Sequence, residues 1–323
     1  MHRLQAPDVV HAIERAASEH LGRPWKAREF VSLDDRASHP AGIFRGDSLI
    51  GHDAHGQHLG HGGLDVFAKF GAGDPAAISF RRELDGLALL RDLGGAQTAR
   101  PLANGVISVH GGYVLALEAV QERSTRERSS ADWRSIGAAL ASLHAVTGTT
   151  FGLDVDGSFG PLTQLNGAVE TNRWCDFIRE RRIEPFLAVA QRSGNRPDGF
   201  LPRVHAAAQR LDEFGGPDPV PTLLHGDAQQ NNFLSTDEGT VFVDTSPFFG
   251  HPENDLAMLD LFEPVPGEVF DAYREYRDLA HGFEERCELW RIPIYLAIVA
   301  VEGSNPFGRT FTSRLDDALR RFA

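Results

Sequence analysis

Lysine is almost missing from this chain of 323 residues: of 32 basic side chains, only Lys26 and Lys69 are lysines and the other 30 are arginines. Cysteine is as scarce, with Cys175 and Cys287 alone. Two thiols cannot form a disulfide framework, so a small stapled scaffold is excluded and both are read as buried thiols. No apolar run approaches the roughly 18 residues of a membrane span. The nearest stretch, 292–301, is too short and contains Pro293. Residues 1–5 lack the apolar block of a secretion leader, which points to a cytoplasmic protein with no membrane partner. Excess positive charge is missing too: 32 basic against 45 acidic residues give −13. Nucleic-acid binding needs clustered cations, so it is not expected, whereas an amine-bearing small molecule suits the charge.

What is present is ordinary globular material, 41% hydrophobic and 24% charged, in a length that fits two lobes. Spacing predicts a first helix over 8–21, then extended segments over 29–33, 41–45 and 64–70. From position 79 the pattern turns helical, with Phe80, Leu84, Leu87 and Leu90 on one stripe. Two more strands, 105–109 and 113–117, flank a His110-Gly111-Gly112 turn. Residues 1–118 therefore read as an antiparallel sheet with one inserted helix. Residues 119–323 read as mainly helical, with helices over 171–191, 203–213, 254–262, 267–280, 285–302 and 312–322. A single strand pair, 222–224 and 241–243, is expected among them.

The chemistry concentrates in His225-Gly226-Asp227-Ala228-Gln229-Gln230-Asn231-Asn232 and in Asp244, which follows the apolar 241–243. One carboxylate here can face a substrate hydroxyl, and a second carboxylate with an amide oxygen can hold a hard cation such as Mg²⁺. The Asp-x4-Asn spacing matches catalytic loops that transfer phosphoryl groups. Gly-Asp and Asn-Asn are also plain turn formers, and a β-turn is the competing reading. Lys69 bears on the choice. It stands in the apolar stretch 66–70, and Glu83 lies on the inward side of the following helix, where a lone carboxylate is costly. A Lys69–Glu83 pair removes that cost; the bland version is a surface salt bridge.

Taken in order, Lys69, Glu83, the Glu118-Ala119-Val120 link, His225-Gly226-Asp227 through Asn232, and Asp244 resemble the aminoglycoside phosphotransferase branch of the protein-kinase-like fold. Within it, the chain is most similar to the fructosamine (ketosamine-3-) kinase family. That similarity runs through Phe151–Gly167, Trp174, Phe177–Arg182, the His-Gly-Asp loop and Phe248–Met258. The resemblance implies an α+β, bilobal protein-kinase-like fold using ATP and Mg²⁺. It implies Asp227 as catalytic base, Asn232 and Asp244 as Mg²⁺ ligands, and Lys69 on the phosphates oriented by Glu83. The backbone of Glu118 and Val120 would meet adenine, and Ser38 and His39 belong to the loop over the phosphates. Gln229, His251 and Glu253 are expected to line the acceptor site. The acceptor implied is a ketosamine, an amino sugar or a related amine. Alternatives are a catalytically silent nucleotide-binding module of the same fold, or an aminoglycoside-type enzyme with another acceptor. The family's loop carries Leu, Trp and Gly where Ala228, Gln229 and Asn231 stand here.

Other features have simpler readings. His52, His55, His58 and His61 read as a solvated loop rather than a metal site. Gly71–Ala76 imitates a dinucleotide fingerprint but serves as a strand-to-helix turn. His144 is read as a packed core histidine, and Asp255 as a helix-terminal acid facing the dipole.

Overall fold

The computed structural model describes residues 2–34, 39–48, 63–195 and 199–323. Helix α1 (Pro7–Leu21) precedes strands β1 (Trp25–Ser32), β2 (Ala41–Ser48) and β3 (Asp65–Gly71). Helix α2 (Gly73–Asp92) follows, then β4 (Ile107–Val109) and β5 (Gly112–Glu118). The five strands form one antiparallel sheet in the order β1-β2-β3-β5-β4. Strand alternation divides β3 between two cores. Val66, Ala68 and Phe70 pack with Val9, Ile13 and Trp25 under α1, whereas Phe67 joins Phe80, Leu87 and Leu117 under α2. Lys69 shares the parity of Phe67, so the sheet delivers its ammonium to α2. Glu83 sits three residues after Phe80 and four before Leu87, on the face of α2 that packs against the sheet. The expected sheet with one inserted helix is thus present.

Beyond Glu118 the chain enters α3 (Ser130–Leu143), whose first turn is closed by a capping box between Ser129 and Asp132. A hairpin, β6 (Gly157–Phe159) and β7 (Leu162–Gln164), comes next. Then follow α4 (Trp174–Ile178), a π turn (Arg179–Ile183), α5 (Glu184–Ser193), α6 (Phe200–Gln209) and α7 (Leu211–Phe214). Strands β8 (Thr222–Leu224), β9 (Phe233–Thr236), β10 (Gly239–Phe242) and β11 (Phe248–Gly250) lead into α8 (Pro252–Leu259). Last come α9 (Glu268–Arg274), α10 (Phe283–Glu302) and α11 (Pro306–Phe322). One core unites α3, α4, α8, α10 and α11 through Trp133, Trp174, Leu256, Trp290 and Phe311. No described helix is long and apolar enough to cross a membrane. Cys175 is buried and Cys287 half-buried, and neither is bonded.

Three expectations need correction. The predicted partners 222–224 and 241–243 do not pair: β8 pairs with β11, and β10 pairs with β9 across an Asp237-Glu238 turn. The reason is that the apolar residues of β8 are fully buried and find their second strand in 248–250, where Gly250 approaches Leu224 closely. The β6–β7 hairpin was not expected, because three-residue strands leave little periodicity. The helix expected over 171–191 is interrupted by the π turn, where Arg182 turns inward between Phe177 and Phe248. The histidine-rich segment 52–61 lies outside the described residues.

Candidate active site

Lys69 is the centre of the cleft. Its Nζ donates to both oxygens of Glu83, at 3.0 and 3.1 Å, and to Asp244 Oδ1. Burial opposes the Lys69 charge, but Asp244 and Glu83 outweigh it and hold the ammonium above its ordinary range. Burial also pushes the Asp244 carboxyl up, yet Lys69 prevails and keeps it below its ordinary value. Glu83 receives the smaller share: burial raises it to about 8 despite Lys69, with Asp244 adding to the rise. One ammonium therefore serves two carboxylates. Asp244 adopts φ +52°, a left-handed conformation that non-glycine residues rarely take.

Opposite lies the loop after β8. Its course requires Gly226, which has φ +80° and whose Cβ would stand 1.8 Å from the carbonyl oxygen of Ser246. The two N–H groups before Asp227 both point at one fully buried carboxylate. His225 N–H donates to Asp255 Oδ2 at 2.6 Å and Gly226 N–H to Oδ1 at 3.1 Å. His144 Nε2 reaches the same carboxylate at 3.2 Å while its Nδ1 meets Tyr273 Oη at 2.9 Å. Asp255 is thus more than a helix-dipole acid: it fixes the loop that presents Asp227. His225 is held neutral, its pKa pushed down by burial to about 4, and its Nδ1 accepts from Asp227 N–H at 3.3 Å.

Asp227 itself is half-buried, and burial, then the neighbouring Asp244, lift its carboxyl to about 7. Asn232 Nδ2 donates to the Asp227 carbonyl at 2.8 Å, tying the two ends of the loop. Lys69, Glu83, Asp227, Asn232 and Asp244 all line one cavity of about 1390 Å³. Its donors suit a hard cation: carboxylate and amide oxygens beside more negative charge than Lys69 alone neutralises. Among the described residues no group of three or more His, Cys, Asp or Glu is arranged to hold a metal. An ion here would draw its remaining ligands from water and phosphate.

The other predicted site residues divide. Glu118, Val120, His39 and Gln229 line the same cavity. Glu118 N–H is taken by the Arg100 carbonyl at 2.8 Å, and its carboxylate meets His20 at 2.9 Å. His39 rests against Phe80 with ring centres 5.1 Å apart. Ser38 lies outside the described residues. His251 and Glu253, expected at the acceptor site, are not among the residues that line this cavity. His251 caps α8 through Nδ1 and packs against Trp174 and Trp290, while buried Glu253 is held by Arg286 and by Trp290 Nε1 at 2.8 Å. An acid in that apolar setting is stable only with its cation, so the pair is structural. Sequence reasoning passed over Asp255 as a loop anchor and gave Ser246 no role; the Asp255 signal was an acid placed directly before the buried apolar run Leu256–Leu259.

A cleft with a paired lysine, a raised carboxyl and two oxygen donors can orient a phosphate chain and accept a proton from an alcohol. Comparison with known proteins agrees. Residues 32–322 match the sequence profile described as fructosamine kinase. The ketosamine-3-kinase of Mus musculus is 27% identical over 258 residues, 72% of this chain and 81% of that protein. A crystal structure of a candidate fructosamine-3-kinase from Thermobifida fusca superposes with TM-score 0.75 at 28% identity, covering 96% of this chain and 99% of the other. A thermostable mutant of the aminoglycoside phosphotransferase APH(4)-Ia in its apo form, at 16% identity and TM-score 0.60 over 96% of this chain and 99% of its own, shares the bilobal kinase-like fold.

Proposed function

The chain belongs to the fructosamine kinase family of phosphotransferases acting on a hydroxyl, and on that premise we propose that it moves the γ-phosphoryl group of ATP to a hydroxyl of a ketosamine or closely related amine-bearing small molecule. In this reading residues 1–118 hold the nucleotide and residues 119–323 supply the base and the acceptor site. The protein works in the cytoplasm. Adenine lies along Glu118–Val120, with His39 and Ser38 toward the phosphates. Lys69 turns from Asp244 to the α- and β-phosphates, and Glu83 keeps it in line. Asn232 and Asp244 are the ligands for Mg²⁺, which neutralises phosphate charge when bound. Asp227 accepts the proton of the attacking hydroxyl, and its raised pKa suits a base working near neutral pH. Gln229, two residues further on, faces the acceptor.

The observation that carries this reading is the convergence of Lys69, Glu83, Asp244, Asp227 and Asn232 on one cavity. The test is ADP release from MgATP across a panel of ketosamines and amino sugars, comparing the native protein with Asp227→Asn. Turnover of at least one ketosamine, lost in the variant while nucleotide still binds, is the expected result. Equal nucleotide binding by both proteins with no acceptor turned over by either would reject it.

A further inference from the structure

Residues 151–167 and 177–182, through which the sequence similarity runs, have no part in the proposed phosphoryl transfer. The structure gathers them around the β6–β7 hairpin. Ser158, Phe159, Gly160 and Pro161, at its tip, line the same cavity as Asp227. The base of the hairpin is held by buried groups. Ser246 Oγ donates to Gln164 Oε1 at 2.6 Å and accepts from Ser158 N–H at 3.1 Å, so both roles of the hydroxyl are used. Gly157 lets the strand approach: a Cβ there would stand 2.1 Å from Ser246 Oγ. From α2, Arg82 Nη1 donates to the Gly157 carbonyl at 3.0 Å. Behind, the guanidinium of Arg182 donates to Asn166 Oδ1 at 2.8 Å and to the Leu165 carbonyl, just past β7.

These anchors lie on parts that already have roles. Ser246 follows Asp244 by two residues, and its N–H donates to the His225 carbonyl at 2.9 Å, beside the loop of Asp227. Arg82 precedes Glu83 on α2. Gly86, one turn on, meets Thr245 and Pro247 so closely that a Cβ would come within 2.7 Å of Thr245 Oγ1. Among the described residues, these hydrogen bonds of Ser246 and Arg82 to the hairpin run to Ser158, Gln164 and Gly157, and none of them reaches 118–120, where adenine is placed. The hairpin is therefore tied to the reacting end of the cleft.

We infer that the tip of the β6–β7 hairpin is the wall against which the acceptor is aligned, and that Ser246 and Arg82 are positioning residues that hold this wall in fixed relation to Asp227 and Asp244. The inference rests on the proposed phosphoryl transfer and adds where the acceptor lies. Neither residue exchanges a proton or touches the phosphate in this scheme. A loosened wall holds the acceptor less firmly before and during transfer, and lost binding of that kind is read in the acceptor KM.

The test uses the full chain with MgATP and the ketosamine formed from glycine and glucose. Ser246→Ala and Arg82→Gln are expected to raise the acceptor KM by about fivefold or more, with the ATP KM changed less than about twofold, the signature of lost acceptor binding. Slow hydrolysis of ATP by water should persist in both. Arg82→Lys should restore the acceptor KM, because one N–H on the Gly157 carbonyl suffices. Where Ser246→Ala fails to fold, the half-buried Arg82 pair decides. A matching rise in ATP KM would make Arg82 a phosphate ligand and overturn the inference, as would unchanged acceptor KM in folded variants. Both leave the phosphotransfer reading standing, whereas a native protein that phosphorylates no ketosamine removes the two together.

Discussion

Asp227→Asn should stabilise the protein that it inactivates, and by an amount that depends on pH. In the folded chain the Asp227 carboxyl sits at about 7, against an ordinary 3.8. Its folded pKa exceeds its unfolded one, so between about pH 4 and pH 7 the folded state binds more protons and stability falls as pH rises. The contribution is fully favourable below the unfolded value and lost above the folded one. At about 1.36 kcal/mol per pH unit, the full cost of holding the ionised form is roughly 4 kcal/mol. Asp227 is half-buried and water screens it, so about 1–2 kcal/mol is the figure to expect. An amide never ionises and escapes this cost. Urea unfolding in EDTA without nucleotide should therefore show the two proteins nearly equal near pH 3, below the unfolded value, and the variant more stable at pH 8. The other titrating groups, Glu83 included, are common to both and largely cancel. Transfer to an acceptor should fall by about 10²–10⁴-fold, the usual worth of a general base. A stability difference that is flat with pH, or a variant less stable at pH 8, would refute the electrostatic account of this carboxyl.

Three further outcomes follow from the same geometry. Lys69→Arg should fold normally yet lose about tenfold or more in kcat/KM for ATP, because a planar fork does not fit where Nζ meets Glu83 and Asp244; native-like kinetics would contradict this. Asp244→Ala should abolish the Mg²⁺ dependence of turnover, and a normal Mg²⁺ titration would remove Asp244 from the ligand set. Asp255→Ala leaves the N–H groups of His225 and Gly226 without their acceptor, at about 1–3 kcal/mol for each buried unpaired group, so its urea midpoint should drop together with kcat.

Much of the sheet and the site was legible because their signals are local. Phe80, Leu84 and Leu87 announce the face of α2, and a lone lysine in an apolar strand announces itself in a chain that otherwise uses arginine. The loop from His225 to Asn232 is a short pattern whose site residues reach one cavity within eight positions of chain. What escaped depends on contacts between distant segments. The pairing of β8 with β11 rather than β10 is decided by which strand can cover Leu223 and Leu224 on both sides, and three-residue strands carry no period to reveal it. Asp255 looked like any acid in the first turn of a helix, since its work is done 30 positions away. His251 and Glu253 were misplaced for the converse reason: they sit beside a functional segment in sequence, but their side chains turn into the aromatic core around Trp290.

The burial of Lys69 between two acids has a chemical corollary. Reducing sugars condense with unprotonated, accessible amines, and the products are ketosamines. Lys69 is 9% exposed in its side chain and kept firmly protonated by its neighbours, which leaves Lys26, at 55% and bonded to Glu14, as the one lysine amine open to such attack. A protein so composed can work among sugars that glycate others while its own lysines offer them almost nothing to react with.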